Sequence, residues 1–571
     1  MAVSWRRRSG EDTDRNISGS ADGNSAGRRG PRWRAATVSL LTVAFLAACG
    51  GGDGGSGTNA DNAQPVPGGR LKIAFWADFQ GCIDPNQVYW IESRSIDRNF
   101  ADSLTDQDPR TGEIVPWLAT SWTASPDARE YTFTLRKGVT FSDGTPLDAS
   151  AVKTALDGVR GLGAKSTLGV TYLAGYESST VVDPQTVKVN FSAPNAAFLQ
   201  ATSTTTLAIL SPATYKETAE ARCAGKVIGS GQFVLDSYNV TKAIKLSRRA
   251  GYAWPSALVK NQGDAYLDGI DVSYIAEDSV RVGSLTTGTI DVAWPRLPIT
   301  SADQEVIKAA NGVIETRSLP GISAQIVPNV NRGGPLADLK VRQALYKAID
   351  LKSYASTVYW DGYPVVKGPY DSTTPYAADL SAKLAHDPAG AAALLDSAGW
   401  AKGSDGYRYK DGRKLTLTYL IISSTPGEQL LQDQLKKSGV DLQLKVLTNA
   451  QYTQLTTAGE FDLAGSYLTR GDPSVLGSTL DRAVSKNYAT VYSQDDATAA
   501  EVSRLFARGL NTIDPARRAA AYKDLQDYLI DHGVVFPTYD RVQVVGLSNK
   551  VHGFAWTSES FLRANDIWLS K

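Results

Sequence analysis

The chain has 571 residues, with 59 Lys plus Arg against 59 Asp plus Glu and only three His and one Met. A chain of this length supports two or three hydrophobic cores. The balanced charge excludes the basic face that nucleic-acid binding requires, and the scarce His and Met disfavour capture of a free transition-metal ion. The 25 Tyr and 12 Trp suit pockets for small solutes as well as ordinary packing.

In chain order, the first feature is a leader. Arg28, Arg29, Arg32 and Arg34 precede an apolar run over 35–48 that ends in Leu46-Ala47-Ala48-Cys49. At 14 residues the run is too short to span ~30 Å of hydrocarbon at ~1.5 Å per residue. The order basic, apolar, small, cysteine resembles a bacterial lipoprotein signal. That resemblance implies cleavage after residue 48, lipidation of Cys49, and anchoring to the outer face of the membrane (the periplasmic side in a two-membrane cell). Residues 49–69, rich in Gly, Ser, Asn and Asp, read as a flexible tether. From Cys49 onward the chain carries a net charge of about −4. With Cys49 assigned to lipid, Cys82 and Cys223 remain as an even pair in an exported chain. An oxidising compartment favours a disulfide between them; the alternative is two separate buried thiols.

Ordered elements begin with the alternating strand pattern of Arg70 to Phe75. The segment 130–136 alternates with Tyr131, Phe133 and Leu135 on one face, and 187–191 and 414–419 repeat the device. Asp143-Gly144 and Asp411-Gly412 mark turns. Asp338 is placed to cap a helix over 339–349. Asp387-Pro388 opens a helix that stops at Gly399, and Asp514-Pro515 opens another that stops at Gly533. Strands and helices alternate without a strict βαβ rhythm, which predicts α/β or α+β layers.

Catalytic signatures are missing. A Gly-x-Ser-x-Gly at 23–27 falls in the leader, and the Gly50, Gly52, Gly55 spacing lies in the tether with no strand before it. His386, His532 and His552 are scattered, without metal-ligand spacing. A secreted glycosidase with two paired carboxylates is the enzyme alternative, and no nucleophile motif supports it.

Other segments carry a resemblance. Leu118-Ala119, Ser121-Trp122, 131–139 and 141–147 together resemble the "LA-x-SW … YTF-x-LR-x-GV-x-F-x-DG-x-PL" stretch of the extracellular solute-binding proteins of family 5, the peptide/nickel/opine class. Further marks follow in order: 228–233; Leu285 with Gly288, Ile290 and Asp291; Asn331 with 341–345 and 348–350; Asp387 to Trp400; Phe461-Asp462; and Asp472-Pro473. The resemblance runs from about residue 70 to the C-terminus. It implies an α/β, two-lobed periplasmic-binding-protein-like fold, of the class with an extra subdomain in lobe I, and two hinge crossings. Lobe I would span 70–315, lobe II 316–534, and 535–571 would return to lobe I. The crossings would lie in 317–321 and 534–538. The implied role is a monomeric receptor, not an enzyme; the residues themselves offer no cofactor or metal site, and a chelated metal stays open as the solute alongside a peptide, an opine or a sugar. The receptor would close around a peptide-like or other small organic solute and deliver it to ABC permease subunits with a cytoplasmic ATPase. A non-transport sensor or chaperone-like lipoprotein on the same fold is the alternative.

Peptide-binding relatives hold the peptide amine with an aspartate just before the "DP" pair. Here the sequence reads Tyr467, Leu468, Thr469, Arg470, Gly471, Asp472, so Thr469 or Arg470 stands at that place. An arginine repels an ammonium group and attracts a carboxylate or phosphate; its other reading is a hinge-side salt bridge to an acid of its own lobe. Phe79 and Trp294, just past strand ends, are the expected aromatic walls of the cleft, with Tyr467, Thr469 and Arg470 opposite them.

Overall fold

The computed structural model describes residues 64–571 apart from Phe79 and Ser423. The leader, Cys49 and most of the tether therefore lie outside the described residues.

Two sheets define two lobes. In lobe I, seven strands run in the order Val313–Ser318, Val542–Leu547, Val292–Trp294, Arg70–Phe75, Gly269–Tyr274, Ala243–Arg248, Phe233–Asn239. Arg70–Phe75 is central and parallel to both neighbours. Its Leu71, Ile73 and Phe75 face one core and Ala74 the other, the period-two pattern of a strand covered on both sides. In lobe II, five strands run in the order Asp441–Val446, Thr416–Ile421, Leu463–Thr469, Gly321–Pro328, Phe536–Tyr539.

Lobe I carries an extra subdomain. Ala119–Ala124, Glu130–Leu135, Thr186–Phe191 and Tyr176–Asp183 form an antiparallel sheet. Tyr131, Phe133 and Leu135 are buried on one face, as their alternation predicts. They share a core with Val152, Ala155, Leu156 and Val159 of helix Ala149–Leu162. Asp148 caps that helix by accepting from the N–H groups of Ser150 and Ala151.

The punctuated helices form where the sequence marks them. Asp338 caps Leu339–Ala348, Asp387 caps Pro388–Ser397 and Asp514 caps Pro515–Asp531. The strand expected at 414–419 is shifted to Thr416–Ile421, because Arg413–Lys414 instead pairs back on Arg408–Lys410. Asp411 and Gly412 turn that hairpin, both at positive φ (51° and 73°), the mirror-image turn that Asp-Gly favours.

The chain passes between lobes twice. Val313–Ser318 ends at lobe I and Gly321–Pro328 begins lobe II, so Leu319-Pro320 is the first passage. The second lies at Asp540-Arg541, later than the expected 534–538. Phe536–Tyr539 pairs with Ala324–Ile326 in the lobe II sheet, and Val534, Val535 and Phe536 are buried in lobe II cores. The return to lobe I therefore starts at Val542 rather than at 535, and lobe I runs to Ser318 rather than 315. The two passages lie side by side: Ser318 is the register partner of Val542, and the Leu319 N–H donates to Arg541 O at 2.8 Å. Cys82 and Cys223 are joined by a disulfide. Among the described residues, no helix is long and apolar enough to cross a membrane.

Candidate binding cleft

The lobe II wall of the cleft is built on strand Leu463–Thr469, which runs antiparallel to Gly321–Pro328 from the first passage. Gly321 sits at φ +128°, where a Cβ would lie 2.1 Å from Leu468 O. Only glycine lets the passing chain lie this close to the strand. Tyr467 is 56% exposed and its ring lies 5.5 Å from the Arg541 guanidinium carbon. The Thr469 hydroxyl is turned inward and accepts from Arg541 Nη1 at 2.8 Å.

Arg541, at the second passage, organises this end of the lobe. Its Nε and Nη2 donate to Asp371 Oδ2 at 2.8 and 2.5 Å, and its backbone N–H donates to Asp371 Oδ1 at 2.7 Å. Asp371 is fully buried. Burial pushes its carboxyl well above the ordinary range, with Arg541 pulling the other way and Asp540 adding to the rise. Asp540 Oδ2 accepts from the hydroxyls of Ser318 and Ser372 at 3.2 and 2.5 Å, which ties the first passage to the second. Beside this, Tyr359 stacks on Tyr363 at 4.1 Å and leans on Tyr539 at 5.3 Å, giving lobe II an aromatic flank.

On the lobe I side, Trp76 follows the first strand. Its Nε1 donates to Glu92 Oε1 at 3.0 Å, and the Arg296 guanidinium lies 5.1 Å from the Trp76 ring and 5.2 Å from the Trp90 ring. Burial pushes the Glu92 carboxyl up, opposed by hydrogen bonds from the backbone and Trp76 and by Arg296. Phe79 lies outside the described residues. Trp294, expected as a wall, is fully buried in the lobe I core, with ring centroids 5.5 Å from both Phe75 and Trp556. The reason is register: Trp294 pairs with Phe75, so pleating sends both rings to the same interior face.

The lobes meet beyond the strand end. A Cβ on Gly471 would lie 2.4 Å from Gln200 Nε2 and 2.9 Å from Gln107 Oε1, both of lobe I. The Ala196 N–H donates to Leu510 O at 3.1 Å. Asp472 is not free for a solute: it holds a buried ion pair with Arg518 at 2.9 Å. Arg470 is 8% exposed and donates to Thr469 O at 2.5 Å. Among the described residues, no carboxylate lies within salt-bridge distance of it, so the salt bridge to an acid of its own lobe is not formed. Burial lowers its pKa; Arg94 and Arg541 act in the same direction, and Tyr172 and Glu559 against it.

Sequence reasoning singled out Tyr467, Thr469 and Arg470, which the structure gathers at one strand end. It missed Arg541, Asp371, Arg94 and Glu559. Helix Ile91–Phe100, which carries Arg94, reads as a polar surface helix, yet most of it is buried; no local signal reports that. The described residues hold no cluster of His, Cys, Asp and Glu able to bind a metal. The arrangement can hold a solute through aromatic faces and charge-assisted hydrogen bonds.

Comparison with known proteins bears on the family and the fold. Residues 113–486 match the family model described as bacterial extracellular solute-binding proteins, family 5 middle. The glutathione-binding protein GsiB of Escherichia coli strain K12 is 25% identical over 485 residues, covering 83% of this chain and 89% of its own. Among solved structures, NikA from Brucella suis in complex with Fe(III)-EDTA superposes with a TM-score of 0.76 at 24% identity, covering 88% of this chain and all of its own. The ABC transporter-associated periplasmic binding protein DppA from Helicobacter pylori, in complex with the peptide STSA, gives 0.68 at 26% identity, covering 89% and 99%.

Proposed function

This chain belongs to the bacterial extracellular solute-binding proteins of family 5, a family of binding proteins rather than enzymes, and we propose that it is the solute-capturing receptor of an ABC-type importer. In this reading the lobes close about Leu319-Pro320 and Asp540-Arg541 around a peptide-like or other small organic solute, which is then handed to the permease. The observation that carries it is the hinge. Two adjacent passages join two lobes, each with its own sheet and core and with a further core shared between them around Ala74, Val544, Ala355 and Tyr363, and the strand bearing Tyr467, Thr469 and Arg470 ends at the hinge facing lobe I. That is the arrangement of hinge closure around a ligand. Glutathione and STSA, named for two relatives, are both peptides, which supports the peptide-like class. Tyr467 supplies an exposed aromatic face and Arg470 a charged donor.

The experiment is native mass spectrometry of the purified chain, followed by calorimetric titration of the stripped protein with the released solute, with glutathione and with STSA. One solute bound per chain, tightly and stoichiometrically, is the expected result. No co-purifying solute and no heat with any probe would contradict the proposal. The lipid anchor is part of the same reading. Cys49→Ala should move the protein from the membrane fraction to the soluble exported fraction, and equal membrane retention would remove Cys49 from that role.

A further inference from the structure

We propose that Gly471 sets how far the lobes close: it is the seat on lobe II that receives the Gln107–Gln200 pair of lobe I, and a side chain at this position holds the cleft ajar. The inference rests on the receptor reading above and gives the extra subdomain of lobe I a part in closure.

The lobe I half of the contact is rigid. Gln200 lies in the short helix Phe198–Ala201, whose Phe198 and Ala201 belong to the subdomain core. Gln107 ends strand Thr105–Gln107, which is tied to that helix by the Thr105 N–H donating to Thr202 O at 3.2 Å. The two amides are chained: Gln200 Nε2 donates to Gln107 Oε1 at 3.3 Å, and Gln107 Nε2 donates to Gly112 O at 3.0 Å. Gly112 in turn faces Pro375 of lobe II, whose Cγ lies 3.4 Å from where a Cβ would stand. Just upstream, Asn195 is fixed within lobe I: its N–H donates to Ala128 O at 2.9 Å, and its own O accepts from the Tyr131 hydroxyl at 2.8 Å. The next N–H, that of Ala196, is thereby aimed across the seam and donates to Leu510 O at 3.1 Å.

The lobe II half is one unit. Leu510 ends helix Asp496–Leu510, where the last carbonyls lack partners within the helix, and lobe I supplies one. Arg518 clamps this helix end to the residue after Gly471. Its Nη2 donates to Asp472 Oδ2 and Oδ1 at 2.9 and 3.1 Å, and its Nε donates to Gly509 O at 3.2 Å. On the other side of Gly471, the Arg470 N–H donates to Pro320 O at 3.1 Å, so the seat lies against the first passage.

What singles out Gly471 is where its neighbours belong. A Cβ there would meet Gln200 Nε2 at 2.4 Å, Gln107 Oε1 at 2.9 Å and Gln200 Cδ at 3.2 Å, all of lobe I. Gly321, by contrast, meets Leu468 O, Arg470 N and Thr469 Cα of its own lobe. Nor is Gly471 at positive φ, so its backbone conformation does not require glycine. A side chain at 471 therefore leaves lobe II intact and clashes only when the lobes are together. The glutamines do not swing aside freely, because both are buried and moving them strands bonded amide groups. With the overlap next to the hinge, a small displacement there becomes a larger one at the cleft mouth.

The test is Gly471→Leu, with Gln200→Ala as the rescue that gives back the space leucine takes. Full-length protein is saturated with the small-molecule fraction released by denaturing the native chain. Hydrogen exchange at single-residue resolution then follows two adjacent amides: Ala196, which donates across the seam, and Asn195, which donates within lobe I. Small-angle X-ray scattering on the same samples gives the radius of gyration. In Gly471→Leu the Ala196 amide should exchange at least about tenfold faster than in wild type while Asn195 keeps its rate, and the radius should stay above that of wild type. Adding Gln200→Ala should restore both. Equal Ala196 rates in wild type and Gly471→Leu overturn the proposal, as does loss of protection at both amides together or a double variant no better than the single one. Should Gly471→Leu fail to fold by circular dichroism, Gly471→Ala serves under the same criteria. The receptor reading fails separately: a wild type that does not contract with the released fraction removes the hinge motion itself, whatever stands at 471.

Discussion

Replacing Arg541 by methionine keeps much of the side-chain volume but leaves Asp371 buried with no counter-charge. Three side-chain bonds of 2.5–2.8 Å are lost, two to Asp371 Oδ2 and one to Thr469 Oγ1, with a fourth to Leu468 O at 3.2 Å. The backbone N–H of residue 541 still donates to Asp371 Oδ1. Removing one partner of a buried pair costs about 3–5 kcal/mol, most of it from the stranded charge. Adding Asp371→Asn removes that charge and keeps the acceptor at Oδ1, so the double variant should recover at least about 2 kcal/mol of the loss. The sign with pH follows from the same group. Asp371 already has a raised pKa in the native protein; without Arg541 it rises further, so the deficit of Arg541→Met should shrink as pH falls and Asp371 takes up a proton. Urea unfolding of the four members of the cycle at pH 7 and pH 5 measures all of this. A loss under about 1 kcal/mol for Arg541→Met, the size of a surface ion pair, or strict additivity in the cycle, would refute the reasoning.

Three further outcomes follow from particular residues. Burial pushes the Asp102 carboxyl up to about 6, although Ser230 and Trp254 each donate to Oδ2 at 3.0 Å. A folded pKa above the unfolded value of 3.8 means that stability is gained as pH falls through 6 towards 4 and lost as it rises. Asp102→Asn, which keeps the acceptor, should therefore gain about 2–3 kcal/mol on wild type between pH 4 and pH 7 in denaturant titrations, and parallel curves would be the wrong result. Gly321→Ala should destabilise by at least about 1–3 kcal/mol from the backbone conformation alone, before the clash with Leu468 O; a neutral melting temperature would contradict the close approach at the hinge. Thiol titration of the unfolded, unreduced protein should find neither Cys82 nor Cys223 free, and reduction should cost about 2–5 kcal/mol in urea unfolding; two reactive thiols would rule out the bond.

What was legible in the sequence was local. Alternation placed Glu130–Leu135, Asp-Pro pairs opened Pro388–Ser397 and Pro515–Asp531, and Asp411-Gly412 turned its hairpin. The first passage was expected at 317–321 from the family resemblance alone, and Leu319-Pro320, between strands Val313–Ser318 and Gly321–Pro328, falls inside that span. The second falls outside its expected span. Phe536–Tyr539 and Val542–Leu547 are both apolar, and only pairing with different sheets divides them at Asp540-Arg541. Trp294 shows the same limit from the other side. Its position after a strand suggested the cleft, but which face it takes depends on its register with Phe75, a partner 219 residues away in sequence. The ion pair of Arg94 with Glu559 is harder still. Arg94 and Glu559 are 465 residues apart, and Arg94 lies in a helix whose sequence looks solvated. Arg470 stood out only because an aspartate was absent from its place.

The central claim is that the two lobes close around a solute. Small-angle scattering of wild-type protein, stripped and then titrated with the solute released from the native chain, tests it most directly. The account predicts a fall in radius of gyration that saturates at one solute per chain and reverses on dialysis. A radius unchanged through saturation, with binding shown by calorimetry in the same samples, would contradict hinge closure and leave a rigid binder in its place.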